Sequence, residues 1–375
     1  MLGLLRPRSH LVSGAVAVPD LTRRELFASA GVVAGAVAMV GGTSEGTLLA
    51  AEKPAAASSG KARKPLVRVA AVSWNPPFHD HRQKGVDLTP LREMTARVMR
   101  DRPDFICFPE VCACIAQGMR AGIAASPGLE PFAEAVGKIA REFGVALVVP
   151  FIERNGDRAY NSVPVVDSTG KLVLVYRKNY PTIGELDDGI SPGHEVPVAE
   201  CDSVRVGAAV CFDANFDTIP MELERQRAQL VFWPSMYWGG RKLQHWAFRY
   251  GFSIVVSYVA ESAIIDMSGR YLDRRGTDTL KVRQQLSPPW AIAEINVNRE
   301  LFHLDDNQLK FPVIREKYGP DVELDIHEPE GYFLMSTRRA DLPVEAIAQE
   351  FGLETLRDYL ARSARIRGER LGKRP

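Results

Sequence analysis

From Pro65 to Asn298, short β-branched runs alternate with segments of helical spacing, and no other feature limits the fold of this chain so strongly. LVRVAAVSW (66–74) is short and rich in valine, as a strand is, whereas LTPLREMTARVMRD (88–101) sets Leu91, Met94, Val98 and Met99 on one helical face. DFICF (104–108) reads as a buried strand, PFAEAVGKIAREFG (131–144) as a helix stopped by glycine, and VALVVPFIE (145–153) as a strand. The series continues with the strand VRVGAAV (204–210), the helix TIPMELERQRA (218–228), and the strands LVFWPS (230–235), FSIVVSYV (252–259) and WAIAEINVN (290–298). Two hairpins interrupt it: NSVPVVD and KLVLVYRK meet at Ser168-Thr169-Gly170, and AIIDMSGRYLD turns at Ser268-Gly269. Such a chain predicts an α/β domain, layered with helices outside mixed sheets, over residues 65–300.

The flanks read differently. Arg23 and Arg24 precede an uncharged Ala-, Gly- and Val-rich stretch over 26–44, and AAASSG (55–60) follows with Ala55 and Ala57 as candidate residues beside a cleavage site. This order of basic, apolar and small-residue parts resembles a twin-arginine signal, so residues 1–57 are expected to be an export signal and linker. The expected partner of the precursor is the twin-arginine export machinery, and the mature protein is expected outside the cytoplasm, in the periplasm. At the other end, residues 301–375 form a C-terminal extension that begins polar and proline-punctuated. Leu342–Ile366 then returns to helical spacing as one terminal helix, with Arg362, Arg365, Arg367 and Arg370 at a solvated end.

Of the 375 residues, 46% are hydrophobic, ample for a large core, and a net charge of +1 argues against a nucleic-acid partner. Five cysteines are too sparse and too uneven in number for a disulfide scaffold. Cys107, Cys112 and Cys114 lack a matching second pair and a nearby histidine, so no metal site is expected.

Three reactive residues fall just past the carboxyl ends of separate strands: Glu110 after DFICF, Lys178 after KLVLVY, and Cys211 after VRVGAAV. Ligand sites in α/β sheets gather at those ends. A thiol near its ordinary pKa is mostly protonated at neutral pH and needs a base, which Glu110 offers. A carboxylate beside a thiolate also repels it by about 4 kcal/mol at 4 Å in a medium of effective dielectric near 20. Lys178 supplies the offsetting cation and a donor for a carbonyl oxyanion. Taken singly, Glu110 is an acid at a helix start, Lys178 an exposed residue leaving a hairpin, and Cys211 a packed thiol; together at three strand ends they read as a catalytic set.

FPE around Glu110, YRK around Lys178 and VGAAVCFD around Cys211, in that order, resemble the signature of the nitrilase superfamily of carbon–nitrogen hydrolases. The resemblance runs from about Leu66 to Asn298 and includes GKLVLVYRK, Pro192-Gly193, FWPS and the closing AEINVN. It implies a four-layer αββα sandwich in a single catalytic domain, a Glu-Lys-Cys catalytic set, and assembly as a homodimer or larger homo-oligomer. It implies a positioning role for a second glutamate, for which Glu185 stands in the right place, although Glu185 reads equally as one acid in a solvated loop. The backbone N–H of Phe212 is the implied oxyanion donor, and Trp238 in MYWGG is a candidate pocket wall or plain packing. CFDANFDTIP departs from the family pattern: Asn215 stands where an arginine is common, and Asp217-Thr218 where Pro-Glu is. No role is assigned to His194.

The expected function is cofactor-free hydrolysis of a non-peptide carbon–nitrogen bond in a small amide or nitrile, with a linear amide favoured and N-carbamoyl or ureido compounds as the alternative. The rivals are a cysteine–histidine hydrolase using His245, acyl transfer to an amine, and a non-catalytic binding module on the same fold.

Overall fold

The computed structural model describes residues 64–74, 87–113, 123–124, 126–276 and 288–372. The expected export signal and linker at 1–57, and Cys114, lie outside the described residues. In chain order the strands and helices are β1 (Leu66–Val72), α1 (Thr89–Val98), β2 (Phe105–Cys107), α2 (Leu129–Phe143), β3 (Ala146–Val148), β4 (Phe151–Asn155), β5 (Arg158–Val166) and β6 (Leu172–Arg177). There follow α3 (Ile183–Asp187), β7 (Val198–Cys201), β8 (Val204–Ala208), α4 (Thr218–Arg225), β9 (Leu230–Ser235), α5 (Arg241–Tyr250), β10 (Ser253–Tyr258), β11 (Glu261–Ile265) and β12 (Tyr271–Gly276). The chain closes with β13 (Trp290–Asn296), β14 (Arg299–His303), α6 (Phe311–Tyr318), β15 (Val322–His327), β16 (Tyr332–Thr337), α7 (Val344–Phe351) and α8 (Leu356–Arg370).

Strand alternation builds the layers. In β1, Val67, Val69 and Ala71 face the second sheet while Ala70 and Val72 face helices; Phe105 and Ile106 of β2 divide in the same way. In β9, Leu230 and Phe232 enter the space between the sheets, and Val231 and Trp233 face outward. The first sheet runs β13-β1-β2-β3-β5-β4 with β6 on β5, and the second runs β12-β11-β10-β9-β8-β7. Helices α1 and α2 cover the outer face of the first sheet through Leu91, Met94, Val98, Phe132, Val136 and Ala140. Helices α4 and α5 cover the second through Ile219, Leu223, Leu243, Trp246 and Ala247. Strands buried on both faces must be apolar throughout, which accounts for runs such as LVFW. The result is the four-layer αββα sandwich.

The parallel pairs β1/β2, β2/β3, β8/β9 and β9/β10 each require a crossover. Helix α5 is the β9–β10 crossover, an element the strand reading passed over. VALVVPFIE divides at Pro150: β3 and β4 both pair with β5, at Val165–Val166 and at Arg158–Ser162, and a proline without an amide proton sits at the break. The C-terminal stretch is more ordered than its polarity suggests. Strands β14, β16 and β15 form an antiparallel sheet with its own core of Phe302, Ile314, Phe333, Met335, Val344 and Ile347. The one helix expected over 342–366 is two, because Gly352 takes a left-handed conformation (φ 58°) after α7 and Thr355 caps a new start at α8. Among the described residues no helix is long and apolar enough to cross a membrane.

The β5–β6 hairpin delivers residues to the strand ends and is held from outside by α2. A Cβ on Gly137 of α2 would lie 2.5 Å from the carbonyl oxygen of Gly170 in the hairpin turn. Alanine at 137 gains about 1 kcal/mol of helix propensity but forces a backbone displacement costing about 1–3 kcal/mol. Gly137→Ala is therefore expected to lower stability in urea denaturation, and an unchanged or raised midpoint would show that the helix and hairpin are not in this contact.

Candidate active site

The apolar strand β2 stops at Cys107, and the chain turns at once: the Phe108 amide still donates to Val148 O, while Val111 adopts φ 45°. A β-branched residue in that region is strained, and the preceding Glu110 is buried at this turn. Residues 110–113 form a turn rather than the helix start that Pro109-Glu110 suggests. Lys178 leaves β6 with its amide bonded to Asn161 O (2.9 Å) and its carbonyl accepting from the Gly193 amide (2.8 Å). Gly193 comes so close to the Arg177 carbonyl that any Cβ would overlap it, which explains the glycine of the Pro192-Gly193 pair. Cys211 begins a short 3-10 turn, Cys211–Asn215, in the left-handed conformation (φ 49°).

All the reactive side chains withdraw from solvent, with Glu110 at 3%, Lys178 at 1%, Glu185 at 8% and Cys211 at 7% exposure. The Lys178 ammonium lies between two carboxylates, donating to Glu110 Oε1 at 2.8 Å and Glu185 Oε2 at 2.7 Å. Burial opposes a charge at Lys178, but Glu110, Cys211 and Glu185 together outweigh it and hold the ammonium protonated well above its ordinary range. Burial likewise opposes the Glu185 carboxylate, and Lys178, Asn161 and the Thr182 amide bring its pKa below the usual value. Glu185 is thus no loop acid. It is the third residue of α3 in a capping box with Thr182, whose hydroxyl accepts from the Glu185 amide while Glu185 Oε2 accepts from the Thr182 amide.

Asn161, which the sequence reading did not single out, completes the ring. Its Nδ2 donates to Glu110 Oε1 (2.8 Å) and Glu185 Oε1 (2.9 Å), so amide and ammonium bridge the same two carboxylates. Glu110 Oε1 is fully engaged, whereas the buried Glu110 Oε2 has no hydrogen-bond partner.

Cys211 is drawn into the same field. Burial first, and the Glu110 charge second, push its thiol up to about 12, against the lowering effects of Lys178, the Met236 amide and the Ser235 hydroxyl. The resting group is a thiol. Its turn is tied to the β6 end by Asp213, another residue not singled out from sequence. Asp213 Oδ2 accepts from Tyr176 OH (2.7 Å) and Val210 N (2.8 Å), and Oδ1 from Tyr180 N (2.9 Å). Burial raises this carboxyl to about 6, and those three donors limit the rise.

The remaining candidates are spread more widely. Phe212 follows Cys211 in the turn with a half-exposed ring set edge-on to Phe216. Asn215, in the arginine position, donates to Phe212 O and pairs with Lys242, and Thr218 meets the Tyr180 hydroxyl at 2.9 Å. Trp238 stacks on Tyr271 beneath the Arg274 guanidinium, while the adjacent Tyr237 has its hydroxyl in the field of Cys211. His245 lies exposed on α5 and His194 beside Glu195 at the surface, and the charged groups that act on the Cys211 thiol are Glu110 and Lys178. A cleft of about 730 Å³ starts at Asn179 and Tyr180 and runs past Glu195 and Glu222, but Glu110, Lys178, Glu185 and Cys211 do not line it.

Comparison with known proteins identifies the family and the fold. The carbon–nitrogen hydrolase family pattern matches residues 68–295. A hydrolase of Mycobacterium tuberculosis is 30% identical over 151 residues, 38% of this chain and 52% of that protein. The N-carbamoylputrescine amidase of Arabidopsis thaliana is 28% identical over 109 residues, 26% of this chain and 34% of that protein. The chain thus matches about a third to a half of the length of these relatives. An amidase mutant from Nesterenkonia sp., solved with the acetamide moiety of fluoroacetamide covalently added at its active-site cysteine, superposes with a TM-score of 0.51 at 16% identity, over 70% of this chain and all of that one.

The raised thiol has a direct consequence. Below its pKa the thiolate fraction grows about ten-fold per pH unit. Labelling of Cys211 by methyl methanethiosulfonate, read by intact mass against Cys211→Ala, is expected to accelerate steadily from pH 7 to pH 9. A plateau at neutral pH would mean that a preformed thiolate exists and that Lys178 dominates the field.

Proposed function

The chain belongs to the carbon–nitrogen hydrolase family, and from that membership we propose that it hydrolyses a linear primary amide to ammonia and a carboxylic acid through a thioester on Cys211. The observation that carries this reading is the division of labour within Glu110: Oε1 is held by Lys178 and Asn161, and Oε2 is buried and free to accept. In this reading Oε2 takes the Cys211 proton as the sulfur attacks the carbonyl carbon, forming the C–S bond and moving the carbonyl π electrons onto oxygen. Lys178 and the Phe212 amide hold that oxyanion. Collapse of the tetrahedral adduct breaks the C–N bond, and Glu110 gives its proton to the departing nitrogen. Glu110 then takes a proton from water, whose oxygen attacks the thioester. The C–S bond breaks and the sulfur recovers the proton. Glu185 and Asn161 position Glu110 and Lys178 throughout.

The same free oxygen favours an amide over a nitrile. A primary amide has N–H groups to donate to Glu110 Oε2, whereas a nitrile nitrogen has none and leaves that carboxylate oxygen unsatisfied, at a cost of about 1–3 kcal/mol. Ureido compounds share the NH₂ group, and the name of the Arabidopsis relative concerns an N-carbamoyl substrate. The position of the mature enzyme follows from the leader: Arg23-Arg24 ahead of the weakly apolar 26–44 stretch supports twin-arginine export to an extracytoplasmic compartment. A homodimer or larger homo-oligomer is the proposed assembly, by family likeness.

Ammonia release from the matched set propionamide, propionitrile and N-propylurea tests the substrate class. Propionamide is expected to exceed propionitrile by about 5- to 150-fold in kcat/KM, in line with about 1–3 kcal/mol. Preference for the nitrile or the urea would overturn the amide assignment. Cys211→Ala is expected to abolish release with the fold intact. Lys178→Met is expected both to inactivate and to destabilise, by about 3–5 kcal/mol, because it leaves two buried carboxylates without their cation.

A further inference from the structure

Past the end of β9 the chain lies over the nucleophile. The Met236 amide lies close enough to the Cys211 thiol to lower its pKa, and Ser235 fixes Tyr237 at both backbone groups: its hydroxyl accepts from Tyr237 N (2.9 Å) and donates to Tyr237 O (2.7 Å). The Tyr237 ring is set edge-on to Trp233 (5.5 Å, 78°) and packs against both the inter-sheet core and the outer core of the second sheet. So fixed, the side chain ends in a hydroxyl that is buried and has no hydrogen-bond partner. A buried hydroxyl left unpaired costs about 1–3 kcal/mol. An orphan held this firmly beside a reactive sulfur is suited to a group that arrives with the substrate.

The geometry points to Tyr237 as a catalytic residue whose phenolic O–H donates to the oxygen of the scissile carbonyl, as a third oxyanion donor beside Lys178 and the Phe212 amide. The charge field agrees with a donor role. Burial first, then the Cys211 and Glu110 charges, push the phenol up to about 12, with Lys178 pulling the other way, so it keeps its proton at neutral pH. The attacking sulfur and this hydroxyl share one neighbourhood, where the carbonyl oxygen takes up charge as the C–S bond forms. Trp238, turned towards Tyr271 and Arg274, has no part in this.

The inference rests on the amide reading, and Tyr237→Phe separates the two because it keeps the ring and its packing on Trp233. With propionamide as substrate, loss of one oxyanion donor is expected to lower kcat about 10²–10³-fold while KM changes less than about three-fold. Alkylation of Cys211 by iodoacetamide expels iodide without charging a carbonyl oxygen, so its rate in the variant is expected to stay within about three-fold of wild type. An unchanged kcat in Tyr237→Phe would overturn the donor role, as would alkylation falling together with kcat, which would mean a merely structural contribution. Wild-type protein that alkylates at Cys211 but turns over no amide would overturn the amide reading, and the donor role with it.

Discussion

A buried ammonium between two carboxylates organises this molecule. Lys178 has lost its hydration, and only because Glu110 and Glu185 approach within hydrogen-bond distance does it remain charged. Neither carboxylate would tolerate burial without it. Glu110 follows β2, Lys178 follows β6 and Glu185 lies in the first turn of α3, so the mutual dependence of their charges fastens these three elements together. Asn161 adds no charge; it donates to the same Glu110 oxygen that Lys178 holds and to the other oxygen of Glu185, so the two carboxylates are tied to each other as well as to the cation. The thiol rests protonated because of its burial first and the nearby Glu110 charge second, against the pull of Lys178.

The nucleophile is placed by the backbone as much as by this field. Asp213 collects Tyr176 from the end of β6, Tyr180 from the loop after Lys178, and Val210 from the end of β8, so the strands carrying the cation and the sulfur cannot drift apart independently. Gly193 closes the same corner from the other side by bonding to Lys178 O. Two sheets, four helices and one buried acid thus convert positions far apart in sequence into a site.

Glu110, Lys178 and Cys211 could be read from sequence because each sits where an apolar run turns polar, and strand ends converge whatever the registers between. Asn161 could not, since its role depends on which residue of β5 lies beside Lys178, a register that the hairpin turn at Gly170 sets. Glu185 carried a legible local signal, the Thr182–Glu185 spacing of a capping box, and its burial followed from that box. Helix α5 was also legible, through Leu243, Trp246 and Ala247 at helical spacing and the stop at Gly251, and through the need to join two parallel strands. Gly352 and Thr355 similarly mark the break between α7 and α8. The C-terminal sheet was obscured by its charges: VELDIH alternates as a strand should, but Leu324 and Ile326 are only partly covered, so the apolar face is short. Between Tyr237 and Trp238, which aromatic meets the sulfur depends on how Ser235 bends the chain, and alternation gives no rule beyond a strand's end.

The left-handed backbone at Cys211 and Val111 carries a further implication. Non-glycine residues held there store about 1–3 kcal/mol each that unfolding releases. Glycine at Cys211 would relieve that strain only by removing the sulfur, and glycine at Val111 would give up a buried side chain, whereas Arg102 and Arg227 carry the same backbone strain away from the site. Descendants of this protein that abandoned catalysis should therefore betray themselves first at the elbow beneath the sulfur, well before their cores begin to diverge.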